Sequence, residues 1–273
     1  SYTLDTSVVG LLQTVQFSAV FILMAVFLQP VEAGLFSLAY LISDVVRWPL
    51  DAVNQIFPPI MTSLHQDGEN GVLDSLYTST SVCVVCVAVP AAAGGIAFAP
   101  EILRVFSGRY ASGSAVLSVM ILGELLAGAA GSVGNLLKMT DNQRASILVQ
   151  ALVVVVVAAP AVWLSQNFGA LGLATAASGS LILNNLLELA AVYRLTGLCP
   201  LKQKHALLAG MGVALGALTW GAKHAGGVLA ALVVFFVGLA IYYETCAQAV
   251  LGQEDKLVLR SVPSSFRRYL NQV

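Results

Sequence analysis

Seven polar residues between positions 37 and 55 carry the densest chemistry in the chain: Ser37, Tyr40, Asp44, Arg47, Asp51, Asn54 and Gln55, followed by Pro58-Pro59. They interrupt a run that is otherwise apolar, with Leu41, Val45, Val46, Trp48 and Val53 among them. At about 100° per residue all seven fall in a helical stripe roughly 100° wide. Asp44 and Asp51 flank Arg47 three residues before and four after it, a spacing that permits ion pairing along one helix. A structural stripe would join helices by that pairing. A functional stripe would line a water-filled cavity and hold a polar or charged cargo. Ionic groups where Ser or Gly would serve at lower cost favour the cavity.

A second constellation, Glu124, Gly128, Gly131, Asn135 and Lys138, is spaced so that all five share one helical face. The two glycines are expected to permit close helix approach. Cavity lining and interhelical pairing both suit Glu124 and Lys138. Asn184, Asn185 and Glu188 read as interhelical hydrogen-bonding groups ahead of cargo contacts. Gln150 is the lone polar exception in the run from Ile147 to Ala161, which is expected to face lipid on most sides. The candidate cavity set is therefore Tyr40, Asp44, Arg47, Asp51, Asn54, Gln55, Glu124, Asn135 and Lys138.

No spacing suggests catalysis. Cys83 and Cys86 form a CxxC inside an apolar run, where thiolates are costly, so they read as small packing residues. Cys199 and Cys246 have no partner that spacing suggests, and His65, His205 and His224 fall in or near loops. HExxH, GxSxG, Walker-A and GxGxxG patterns do not occur in a usable context. The expectation is a non-enzyme with no metal and no cofactor. A net charge of −1 gives no reason to expect a nucleic-acid partner.

The elements that must position these groups are apolar helices. Of 273 residues, 58% are hydrophobic and only 10% charged, against roughly 25% charged in a soluble domain. Eight runs are each near the length of about 20 residues that spans a bilayer core: 8–29, 34–60, 77–98, 113–137, 146–165, 170–192, 206–222 and 227–247. The fold class is an all-α integral membrane protein, a bundle of about eight transmembrane helices. With eight crossings the two chain ends share a side. That side holds nine Lys and Arg in loops and tail against three on the other, Arg104, Arg109 and Lys223, so both ends are expected in the cytoplasm. Trp163 and Trp220 sit where interfacial anchors would. Pro58-Pro59, Pro90 and Pro160 are expected to bend their helices.

Several stretches, in order, resemble a known family. Residues 31–40 (VEAGLFSLAY) look like the turn and helix start of prokaryotic polysaccharide flippases of the Wzx type, members of the MOP superfamily with the MurJ and MATE transporters. Asn54, Gln55, Phe57 and Pro58 resemble that family's N-x-x-F-x-P segment. Residues 76–78, 101–111 (EILRVFSGRYA), 134–143 (GNLLKMTDNQ) and 168–176 (FGALGLATA) resemble its following helix start, loop, turn and helix. The matches cover roughly residues 30–200. The run from Gln16 to Val20 lacks the Arg-Asp pair that many relatives carry in the seventh helix.

The resemblance implies the C-terminal lobe of a MOP/MATE-like transporter. Residues 1–200 would correspond to the family's seventh to twelfth helices, 201–250 to two further helices, and 251–273 to a cytoplasmic tail. The implied function is alternating-access translocation of lipid-linked oligosaccharide or polysaccharide repeat units across the cytoplasmic membrane, with Arg47 a contact for the carrier's phosphate. A MATE-like exporter of organic cations and a non-transporting membrane scaffold are the alternatives. The expected partners are the lipid-linked sugar, membrane lipid, and an N-terminal lobe supplied by the same or another chain. The chain opens Ser1-Tyr2-Thr3 without an initiator Met, which agrees with that half-transporter expectation. A lone lobe would expose its charged stripe to lipid at roughly 2.5–3.5 kcal/mol per charge.

Overall fold

Proline and glycine decide where the apolar runs stop. The computed structural model describes residues 2–66, 70–139 and 142–250, and every regular element among them is helical. The tail expected at 251–273 lies outside the described residues. Helix α1 (Tyr2–Phe27) ends three residues before Pro30, which opens α2 (Pro30–Ser43) behind an extended Gln29, a position proline favours because its missing N–H is not needed there. A 3₁₀ turn (Asp44–Val46) leads to α3 (Trp48–Gln66). Then follow α4 (Asn70–Ala97), the short α5 (Ala99–Phe106), a second 3₁₀ segment (Gly108–Gly113), α6 (Ser114–Gly128) and α7 (Val133–Met139). The chain continues through α8 (Gln143–Thr196), α9 (Gln203–Thr245) and a π turn (Cys246–Val250).

Two long elements are hairpins. A straight α8 would hold Ser146 about 63 Å from Glu188, yet their side chains are hydrogen-bonded at 3.0 Å. The reversal is at Gly169, whose φ of 54° and ψ of −133° lie outside the helical region and suit glycine. In α9 the non-helical residue is Gly227, and the chain returns so closely that a Cβ on Gly238 would lie 2.6 Å from Leu215. These reversals fall at the boundaries expected between runs 146–165 and 170–192 and between 206–222 and 227–247.

Two runs that read as single helices are broken. The run 34–60 is split by the turn at Asp44–Val46, where Arg47 N–H bonds Asp44 O at 2.9 Å. Pro49 explains the split, because it lies in the first turn of α3 and has no N–H to donate to the turn before it. Three residues at 3₁₀ pitch turn about 60° further than three at α pitch, so the single polar stripe is not kept. The run 113–137 is split between α6 and α7, with Gly131 at φ +70°.

Among the described residues, five stretches are long and apolar enough to cross a membrane: Val8–Phe27, Gly71–Ala97, Gly108–Lys138, Gln143–Thr196 and Gln203–Gln248. This fits a multi-pass membrane protein. The exterior agrees, since Leu148, Val155, Val213 and Leu229 are each at least 70% exposed, a display that water would penalise and lipid would not. α4 is the central element. It packs on α3, α5 and α6, and on α9 through Val82, Val85 and Val89.

The connections gather at two ends. At one end Glu32 lies against Gly169, Tyr110 against Gly34, and Lys223 Nζ donates to Glu101 Oε2 at 2.6 Å and Ala97 O at 2.9 Å. At the other, Lys202 pairs with Asp74 at 3.6 Å and Leu198 packs on the cluster holding Met61, Leu73 and Leu137. Asp74 and Ala97 are about 35 Å apart along α4, the thickness of a bilayer core.

The break between α6 and α7 is held by α4. Tyr77 is fully buried and its hydroxyl donates to Ala130 O at 2.9 Å. Tyr77→Phe leaves that carbonyl without this donor, and the expected loss is about 1–3 kcal/mol, seen as a lower thermal midpoint in detergent. Tyr193→Phe, at an exposed site, should leave the midpoint unchanged.

Candidate functional site

Six segments, α1, α2, α3, α6, α7 and α8, enclose a cleft of about 720 Å³. The lining mixes many amides and hydroxyls with apolar side chains, whereas the exterior of the same helices is largely apolar. From α1 come Gln13, Thr14 and Gln16 with Phe17 and Phe21; from α2 come Tyr40 and Ser43. Arg47 and Asn54 enter from the turn and α3, Glu124 from α6, and Asn135 and Lys138 from α7. The two arms of α8 add Gln150, and Ser178, Ser180, Asn184, Asn185 and Glu188. Amides and hydroxyls far outnumber the four charged side chains, Arg47, Glu124, Lys138 and Glu188, whose formal charges balance.

Of the nine residues expected from the sequence, Tyr40, Arg47, Asn54, Glu124, Asn135 and Lys138 line this cleft. Asp44, Asp51 and Gln55 are not in its lining. The 3₁₀ turn is the reason, since it changes the phase of the helix between Ser43 and Trp48. Asp51 still acts on the site through Arg47, whose Nε donates to Asp51 Oδ1 at 3.2 Å. Asp44 offers its backbone carbonyl to the turn, and Gln55 is exposed.

The break before α7 lets three polar side chains converge. Asn54 Oδ1 accepts from Ser132 Oγ at 2.5 Å and from Asn135 Nδ2 at 3.1 Å, and Asn135 Nδ2 also reaches Ser132 Oγ at 3.1 Å. On the opposite wall Gln16 Nε2 donates to Ser180 Oγ at 2.6 Å, tying α1 to α8. Phe17, Phe21 and Tyr40 form an aromatic trio with ring centroids 5.0 to 5.9 Å apart. Such an apolar patch beside amides suits a ligand with both ring faces and hydroxyls.

Sequence reasoning missed the α1 contribution. Gln13 and Gln16 are three apart in an apolar run, a spacing that puts them on one face, and that signal was available. Asn184, Asn185 and Glu188, read mainly as interhelical groups, line the cleft as well as bonding neighbours. The glycines also divide in role. Gly131 packs on Ser81, where a Cβ would lie 3.2 Å from its Cβ, whereas nothing lies within 4 Å of a Cβ on Gly128, which borders the cleft. Close helix approach is made instead by Gly123, where a Cβ would lie 2.5 Å from Ser178 Oγ.

No protein family, curated protein or solved structure matches the chain.

A wet cleft inside an apolar exterior has a measurable signature. In a background with Cys83, Cys86, Cys199 and Cys246 replaced, single cysteines at Gln13 and Asn185 should react quickly with a charged maleimide in lipid vesicles. Cysteines at Val155 and Val213, on the exterior, should react slowly. Equal slow labelling at all four would mean that the cleft is dry.

Proposed function

We propose that the protein is one lobe of a membrane transporter of the Wzx type, which turns a lipid-linked oligosaccharide from the cytoplasmic to the outer leaflet. The observation that carries this reading is the cleft lining: amides, hydroxyls and an aromatic trio, with few and balanced charges, enclosed by helices that are apolar outside. Sugars present many hydroxyls and one or two apolar ring faces, and such a lining can match both. A cleft for organic cations would be expected to carry a net negative charge. Here Arg47 and Lys138 offset Glu124 and Glu188.

In this reading eight segments cross the membrane: α1, α2 with α3, α4, α6 with α7, the two arms of α8 and the two arms of α9. Loops near Asp74 and Lys202 face the cytoplasm, and the turns at Gln29, Gly169 and Gly227 face outward. A second lobe closes the open side of the cleft, where α1 leaves Phe17 52% exposed, and rocking of one lobe against the other gives alternating access. Arg47 is the contact for the carrier phosphate. Its partner Asp51 is about 41% exposed, as Arg47 is, and such a pair contributes at most about 1 kcal/mol, so an anionic cargo can displace it.

Two experiments test the reading. Cysteine labelling in cells should place position 74 inside and position 167 outside, and the reverse would sink the orientation. Arg47→Ala should abolish flipping of a fluorescent lipid-linked sugar in vesicles while the protein inserts normally. Arg47→Lys should restore it in part, as a point charge without the planar fork. Full activity in the Ala variant would remove Arg47 from the site, and cation-dye efflux without sugar flipping would favour the organic-cation exporter.

A further inference from the structure

At the end of the bundle that holds Gly34, Gly169 and Lys223, the short helix α5 has one buried face and one bare one. Ala99 and Leu103 are fully buried in the cluster that holds Val116, Leu117 and Met120, and Ile102 packs with Phe98 and Ala231. The next three residues turn outward. Arg104 is exposed, Val105 is 83% exposed and Phe106 is 60% exposed. Among the described residues no large apolar side chain is more exposed than Val105.

A second basic residue is held close behind them. Ser107 leaves the helix in extended backbone, its Oγ accepts from Arg109 N–H at 3.3 Å and its carbonyl from Tyr110 N–H at 3.0 Å. Tyr110 is seated against Gly34 of α2, where a Cβ would lie 2.7 Å from its hydroxyl oxygen. This turn fixes the backbone of Arg109, whose side chain is exposed.

The acid of the segment is already spoken for. Glu101 is the one acidic residue between positions 75 and 123, and Lys223 holds it at 2.6 Å. Among the described residues no ion pair joins Arg104 or Arg109 to a carboxylate. A bare Val-Phe pair between two such arginines suits neither water nor hydrocarbon alone. It suits their boundary, where guanidinium groups meet phosphates while apolar side chains reach acyl chains. Trp163, Phe168 and Trp220, each more than half exposed at the same end, mark that boundary as interfacial aromatics do.

We propose that residues 104–109 form a binding site for an anionic phospholipid, with Arg104 and Arg109 on the headgroup phosphate and Val105 and Phe106 against the upper part of an acyl chain. Arginine suits this role because its planar fork pairs with phosphate through two hydrogen bonds. None of these residues lines the cleft, so the site concerns the surrounding lipid and stands apart from the identity of the cargo.

The test uses the chain with Cys83, Cys86, Cys199 and Cys246 replaced and a fluorophore attached through Val105→Cys. The protein is placed in phosphatidylcholine vesicles in which about one-tenth of the lipid carries brominated acyl chains, which quench a fluorophore on contact. Brominated phosphatidylglycerol should quench position 105 more strongly than brominated phosphatidylcholine at the same fraction. That preference should fall about fivefold for each of Arg104→Gln and Arg109→Gln, and it should shrink in high salt. A fluorophore attached through Val155→Cys, at a site 74% exposed on α8, should be quenched alike by both lipids in every variant, which also reports normal insertion. Equal quenching of position 105 by the two lipids overturns headgroup binding. Absence of quenching by either overturns the lipid site and leaves the patch to a protein partner or to water. A preference that survives the double Gln variant overturns the assignment to these arginines.

Discussion

Backbone groups released where a helix breaks must be bonded inside the protein when the surroundings are apolar, and this requirement organises the molecule around residues 129–132. The break between α6 and α7 frees the carbonyls of Ala129 and Ala130. Both are taken by α4, through Ser81 Oγ at 3.1 Å and Tyr77 at 2.9 Å. Ser81 in turn meets His205 Nε2 at 3.0 Å, while Lys202 N–H donates to His205 Nδ1 at 3.2 Å. With Nδ1 accepting, the neutral ring carries its proton on Nε2 and donates to Ser81, which donates to Ala129. One hydrogen-bonded line thus runs from the start of α9 through α4 to the break. That line ties α4 both to the start of α9 and to the break from which α7 begins.

The same break creates the cleft floor. Because α7 starts afresh at Val133, Ser132 and Asn135 turn toward Asn54, and Lys138 follows on the cleft side. In lipid there is little hydrophobic drive between helices, so close packing and hydrogen bonds hold them. The contacts follow that rule. Gly123 lies on Ser178, Gly212 on Val89, and Gly95 on Ile121. Polar pairs such as Gln16 with Ser180 and Ser146 with Glu188 join helices where the walls meet. The result sets exposed Leu and Val on the exterior, an apolar core between the helices, and amides along the cleft.

Length and hydropathy alone made the long helices legible, because an apolar run of about 20 residues has few other uses. The reversals at Gly169 and Gly227 were equally legible, each falling between two such runs. The breaks inside runs were not. Pro49 and Gly131 sit among apolar neighbours, and hydropathy does not register a change in helical phase. This explains the division of the candidate site. Tyr40 lies before the turn at Asp44–Val46 and Asn54 after it; both reach the cleft, as does Arg47 at its end, whereas Asp44, Asp51 and Gln55 do not. Ser132 escaped notice because its importance comes from the break itself. Gln150 escaped because a single amide in an apolar run looks peripheral until the hairpin sets it beside Glu188.

The charges of the cleft are distributed in a way that bears on what can occupy it. Arg47 is held by Asp51 at 3.2 Å in a half-exposed pair and also feels Glu124 across the cleft. Lys138, from α7, feels Glu188. Each basic group therefore has an acidic neighbour on a different helix: Arg47 near α2 and α3 with Glu124 on α6, Lys138 on α7 with Glu188 on α8. Paired in this way, the cleft carries no net formal charge from its four charged side chains and repels neither an anion nor a neutral sugar. An anion arriving at Arg47 would loosen the tie to Glu124. That event shifts charge between α3 and α6 beside the α6–α7 break, where the helix is interrupted at Gly131 and a change in pairing can become a change in helix position.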